Sequence, residues 1–293
     1  MTYQEALDFL YPLHRFGIKP GLDRVYTLLE SLGSPHKRLG LVVHIAGTNG
    51  KGTVAAALAS IFQADGKKTA LYTSPHLVDF TERIRINGKP IAQEKVAFYC
   101  SLLKDAVIQN HSTFFEATTA LAFAWFADES VEVSIIETGM GGRLDATNVV
   151  DSAYAVISTI GLDHTEWLGG TLSLIAAEKA AIIHKGCRVY TAVTDPEAFM
   201  PIEQQAQWCD APLFVVGRDV MTRVSASGPG MLELEVRSAL RDYLGLKVPL
   251  PDYFTHPMSL LLLWLQKMPV LGKKRSRQGL SIYCTQGTGP GLK

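Results

Sequence analysis

Cysteine is scarce. The four present, Cys100, Cys187, Cys209 and Cys284, stand far apart and form no Cys-x-x-Cys pair, which argues against a disulfide framework or a thiolate zinc site and fits reduced thiols in a cytosol. An excess of charge of either sign is missing as well. With 28 basic residues facing 28 acidic ones, bulk electrostatics gives no reason to expect nucleic acid or an anionic membrane as partner. The opening Met1-Thr2-Tyr3-Gln4-Glu5 lacks the basic and apolar regions of a signal peptide, so a cytoplasmic protein is expected. Long hydrophobic runs are limited to Met258–Leu265, well short of the roughly 20 residues that span a bilayer, and this run reads as a buried helix. Repeats and low-complexity tracts are absent. What remains is a chain of 293 residues, 47% apolar, able to bury a full core in one large or two modest domains. Any ligand has to be argued locally.

Apolar runs rich in branched residues alternate with helical patterns, the signature of an α/β fold with a mostly parallel sheet and helices on both faces. Strands are expected at Leu41 to Ala46, Thr69 to Thr73, Val131 to Glu137, Ala153 to Ile160, Arg188 to Val193 and Pro212 to Val216. Helices are expected at Thr53 to Asp65, Glu94 to Ile108, Phe115 to Ala127, Leu172 to His184 and Pro196 to Trp208, and Asn87-Gly88 marks a tight turn. In such sheets ligands collect at the carboxyl ends of the strands. Gly47 to Thr53, Ser74-Pro75-His76, Glu137 and Asp163-His164 all follow predicted strands, so four loops are expected on one edge.

The most informative stretch is Gly47-Thr48-Asn49-Gly50-Lys51-Gly52-Thr53. Glycines let backbone N–H groups wrap around phosphates, and the following helix presents its positive N-terminal end to the anion. Lys51 suits the outer phosphates and the Thr53 hydroxyl suits magnesium, which makes ATP the expected ligand of a P-loop-type fold. The spacing departs from the ordinary phosphate loop, since Gly52 is inserted between lysine and hydroxyl and Ile45 stands where the first glycine belongs.

Several further blocks follow in order: Thr73-Ser74-Pro75-His76-Leu77, Glu82-Arg83-Ile84, Phe115-Glu116, Glu137, Gly139 to Asn148, Gly161-Leu162-Asp163-His164 and Ile175 to Ile182. Together they resemble the folylpolyglutamate synthase and dihydrofolate synthase family of the Mur ligase superfamily, whose members carry Gly-Lys-Gly before the hydroxyl. The resemblance implies a Mur-ligase-like central domain over residues 1–250, with an N-terminal helical segment. It also implies that 251–293 is a divergent linker remnant and basic tail. The Asp-Gly-Ala-His-Asn motif of the family's C-terminal domain does not occur, so a truncated member is expected.

The activity implied is ATP-dependent ligation of glutamate to a folate through a γ-carboxyl acyl phosphate, with dihydropteroate as a further substrate. A nucleotide-binding remnant without turnover and, less favoured, a Mur-type cell-wall precursor ligase stay open. The implied site takes Lys51, Glu137, His164 and Lys179 as catalytic residues and Thr53, Glu137 and His164 as magnesium ligands, with Lys179 carbamylated. Ser74, His76, Glu82, Arg83 and Glu116 are the substrate-side candidates. Bland alternatives stand beside them: Glu137 as a turn cap, Lys179 as a surface lysine paired along its helix, His164 as a loop histidine, and Glu116 as the buried partner of an arginine. Nothing in the sequence bears on oligomeric state.

Overall fold

The computed structural model describes residues 1–17, 21–228, 231–238 and 242–248. The Met258–Leu265 run and the expected tail over 251–293 lie outside the described residues.

Six strands run parallel: β1 (Leu41–Ala46), β2 (Thr69–Tyr72), β5 (Val133–Glu137), β6 (Tyr154–Ile157), β7 (Arg188–Thr191) and β8 (Leu213–Val215). With the short antiparallel edge strands β3 (Ile84–Ile86) and β4 (Lys89–Pro90) they form an eight-stranded sheet in the order β4-β3-β2-β5-β1-β6-β7-β8. The Asn87-Gly88 turn joins β3 to β4, with both residues at positive φ. Strand β1 sits inside the sheet between β5 and β6. Its residues from Val42 onward are buried, as expected of a parallel strand covered on both faces.

Alternation along β1 sorts the helices. Val43 and Ile45 pack with α3 (Lys51–Ala64) and, beyond it, with Val220, Leu234 and Val236. Val42 faces the opposite layer, built from α1 (Tyr3–Leu10), α2 (Asp23–Ser31), α4 (Gln93–Gln109) and α5 (Phe114–Asp128). Ala46, on that same side, meets α7 (Leu172–Ala180) and α8 (Pro196–Trp208). The expected α/β class with helices on both faces is therefore present. A four-residue helix, α6 (Thr165–Leu168), precedes α7. Among the described residues no helix is long and apolar enough to cross a membrane.

The structure differs from the sequence reading in three places. Helix α3 starts at Lys51 instead of Thr53, because Gly50 adopts a left-handed conformation (φ 81°) and serves as its N-cap. Helix α7 ends at Ala180, short of His184. A three-stranded antiparallel sheet, β9 (Val220–Gly228), β10 (Met231–Ser238) and β11 (Tyr243–Val248), had no counterpart among the expected strands. Its central strand did carry a signal in Met231-Leu232-Glu233-Leu234-Glu235-Val236-Arg237. From Leu232 onward that is strict alternation, with Leu234 and Val236 buried and Arg237 exposed.

Candidate active site

The loop after β1 is shaped by close approach. Gly47 has φ 151°, and a Cβ there would collide with Ser158 Oγ, so no other residue fits. The strand next door braces the loop. Thr48 N–H donates to Thr159 O (2.7 Å), Asn49 N–H to Thr159 Oγ1 (3.1 Å), and Ser158 Oγ to Asn49 O (2.7 Å). Thr48 Oγ1 bonds both Gly161 O and Gly161 N–H. Ser158 and Thr159 were missing from the sequence reading; their signal is only two hydroxyls at the end of a strand. The first turn of α3, Lys51-Gly52-Thr53, opens with N–H groups that have no intrahelical acceptor, the usual setting for an anion.

Lys51 Nζ folds back onto Gly47 O (2.9 Å) and Thr48 O (3.2 Å). Lys179 Nζ reaches the same Gly47 carbonyl at 3.0 Å. Lys179 is only 2% exposed, so it is no surface lysine. Burial, reinforced by the nearby Lys51 ammonium, pulls its pKa down to about 8.

Glu137 closes β5 beside this loop, 4% exposed. Its Oε2 accepts the Ser74 N–H (3.2 Å). A Cβ added at Gly52 would lie 3.6 Å from that same oxygen, so the inserted glycine lies directly against the carboxylate. Burial pushes Glu137 up to about 7, against the pull of Lys51. A buried carboxylate with one N–H donor, next to Gly52 in the first turn of a helix, is a good partner for a hard cation. Among the described residues no group of three His, Cys, Asp or Glu side chains is close enough together to hold a metal ion. Magnesium at Glu137 would therefore complete its shell from hydroxyl, phosphate and water oxygens. His164 lies on the same edge, after β6, in a left-handed conformation (φ 49°) with its side chain half exposed and 3.7 Å from Asp163.

Beside Glu137 opens a cavity of about 590 Å³, lined by Ser74 and Pro75, by Phe114 and Phe115, by the loop Gly139 to Ala146, and by His14 and Trp167. Arg83 enters it nearly buried, its guanidinium 5.2 Å from the Phe114 ring centre and its Nε donating to His76 Nδ1 at 2.7 Å. A cation in an apolar wall, with no carboxylate at ion-pair distance among the described residues and only the charge of nearby Glu137 acting on it, is suited to an anionic ligand.

A model of the Mur ligase middle domain matches residues 45–207, more than half of the chain. The dihydrofolate synthase/folylpolyglutamate synthase of Bacillus subtilis is 42% identical over 218 residues, covering 72% of this chain and 50% of that protein. The apo form of Lacticaseibacillus casei FPGS superimposes with a TM-score of 0.88 at 30% identity, covering 96% of this chain and 72% of that one. The chain belongs to the folylpolyglutamate synthase/dihydrofolate synthase family. An FPGS-AMPPCP-folate complex matches comparably, with a TM-score of 0.87 at 31% identity over 96% of this chain and 71% of that one. The chain spans about half the length of the curated relatives it matches.

Within this family framework, two of the expected substrate-side carboxylates turn out to be engaged by their own fold. Glu82 accepts N–H groups from Leu77, Val78 and Asp79; those bonds hold it below the usual carboxylate range and fix the loop after Ser74. Glu116 borders the cavity, yet it takes the Arg24 Nε (3.0 Å) and caps its own helix through Thr113 N–H (2.7 Å). The arginine-partner alternative describes it. Glu116→Ala is expected to lower unfolding stability by about 2 kcal/mol through the lost cap and buried pair, with Glu116→Gln costing less. Urea denaturation of the three proteins measures this.

Proposed function

We propose that the chain forms the nucleotide and folate sites of an ATP-dependent carboxylate–amine ligase that joins glutamate to a folate-type substrate and also accepts dihydropteroate. The carrying observation is the meeting, at one sheet edge, of the Gly47–Thr53 loop, the buried Glu137 and an aromatic-walled cavity holding Arg83. Relatives bearing folylpolyglutamate synthase and dihydrofolate synthase names, and a neighbour complexed with AMPPCP and folate, support it.

In this reading a carboxylate, itself a poor acyl donor, takes the γ-phosphoryl group of ATP and leaves ADP. The glutamate amine then attacks the acyl carbon; the amide forms as the bond to phosphate breaks and the amine proton departs. The protein's contribution is alignment and charge neutralisation. Lys51 would leave Gly47 O and Thr48 O for the outer phosphates, with the N–H groups of Gly50, Lys51 and Gly52 at the start of α3 forming the cradle, while Thr48 and Asn49, whose N–H groups are donated to Thr159, would keep the loop between Gly47 and Gly50 in shape. Thr53 and Glu137 would hold a magnesium that neutralises phosphate charge. His164 would serve a second cation together with a carbamate on Lys179, formed when the neutral amine adds carbon dioxide and releases one proton. Ser74, His76 and Arg83 would border the acceptor carboxylate.

A second reading is nucleotide binding without turnover by this chain. One assay separates the two. The full chain with ATP, magnesium, glutamate and either tetrahydrofolate or dihydropteroate should release ADP only when both co-substrates are present. Nucleotide binding without ADP release supports the second reading, and failure to bind nucleotide defeats both.

A further inference from the structure

We propose that His44 is a positioning residue for the loop that walls the folate-side cavity, acting through Thr147 and Asp145. The inference rests on the ligase reading only for the identity of the ligand. His44 lies in the middle of β1, fully buried, on the strand that runs into the phosphate loop. Its Nε2 is 2.8 Å from Thr147 Oγ1. That hydroxyl donates to Asp145 Oδ1, which also accepts the Thr147 N–H at 3.0 Å. The other oxygen, Asp145 Oδ2, accepts Gly139 N–H (2.8 Å) and Met140 N–H (2.9 Å), and both residues line the cavity.

The direction of the chain of bonds follows from counting protons. Burial pushes the Asp145 carboxyl above its usual range, while its four donors pull the other way. With both oxygens doubly engaged by donors, the ionised form is the one this geometry satisfies. Thr147 has one hydroxyl hydrogen and spends it on Asp145, so its oxygen accepts from His44. The imidazole is therefore protonated on Nε2 and bare on Nδ1, the nitrogen that meets no hydrogen-bond partner among the described residues. The reverse order would protonate Asp145 and bury an unpaired Nδ1–H, the costlier arrangement. Desolvation drives His44 down to about 3, so the ring stays neutral throughout the working pH range.

An apolar side chain would suit β1 better on packing alone, since Val42, Val43, Ile45 and Ala46 are all apolar and buried. The imidazole instead ties the strand to the loop. Gly139 has no room for a side chain, because a Cβ would lie 2.7 Å from Phe115, so small loop shifts alter the cavity wall directly.

The test uses the full chain. Nitrogen-15 NMR should show His44 with a protonated Nε2 and an unprotonated Nδ1. His44→Leu should shift the Gly139 and Met140 amide resonances and weaken tetrahydrofolate binding about five- to tenfold, with affinity for a non-hydrolysable ATP analogue kept within twofold. His44→Gln, which can place an N–H near the Nε2 position, should restore both. Thr147→Val, which removes the hydroxyl at nearly constant volume, should reproduce the leucine pattern even if His44→Leu does not fold, and the double variant should be no worse than the poorer single one. Unmoved amides, equal losses for both ligands, or no rescue by glutamine would overturn the proposal. If the wild-type chain binds no folate while the amide shifts follow this pattern, the ligase reading fails and the positioning role stands.

Discussion

Glu137→Gln is expected to abolish most turnover, lowering it at least about a hundredfold, while making the ligand-free protein more stable at pH 8. The two effects share one cause. Burial has raised the folded-state pKa of Glu137 from 4.5 to about 7, so the folded protein holds this proton more tightly than the unfolded chain does. Below about pH 4.5 the carboxyl is neutral in both states and costs nothing. As pH climbs through 7 the folded state must carry a buried charge, and the accumulated cost is on the order of 3 kcal/mol. Glutamine never ionises and escapes that cost, but it offers a cation only a neutral amide oxygen. Thermal melts should show a higher Tm for the variant at pH 8 and little difference at pH 5. Magnesium with nucleotide should stabilise the wild type far more than the variant at pH 8. Undiminished turnover would remove Glu137 from the site, and a pH-independent stability difference would remove the electrostatic explanation.

Glu137 was legible in the sequence because a lone acid ending an apolar strand stands out against Val133 and Ile135-Ile136. The parallel strands and their helices were legible for the same kind of reason: apolar runs and helical periodicity are local signals. Lys179 was not separable from a surface lysine, since its burial comes from the contact of α7 with a loop 132 residues earlier. Likewise Ser158 and Thr159 brace the phosphate loop only because β6 is laid beside β1, an adjacency that strand order creates and local pattern does not carry. His44 read as one more residue of a hydrophobic run. Glu82 and Glu116 illustrate the reverse case: a block motif marks each carboxylate but does not show that backbone N–H groups and Arg24 engage it.

Replacing Lys179 should have the second large effect, and its sign in stability depends on pH in the opposite way. The folded state holds the Lys179 ammonium at about 8, against an ordinary 10.5, so at neutral pH the protein carries a cation it would rather release. That cost is full below about pH 8 and fades as pH rises toward 10.5, where both states are neutral. In carbon dioxide-free buffer Lys179→Met, which keeps apolar bulk, is expected to raise stability at pH 7 by about 1 to 3 kcal/mol and to change it little at pH 10.5. Turnover should nevertheless fall at least about a hundredfold in the variant. In the carbamate reading, wild-type turnover drops in carbon dioxide-free buffer and returns with bicarbonate, whereas the methionine variant responds to neither. Lys179→Ala leaves space for a small anion, so acetate or another short carboxylic acid should restore part of its activity. Wild-type turnover indifferent to carbon dioxide, together with no acid rescue, would leave Lys179 as a prop under the Gly47 carbonyl. A methionine variant of normal activity would deny it even that role, because the prop and the carbamate both require the amine.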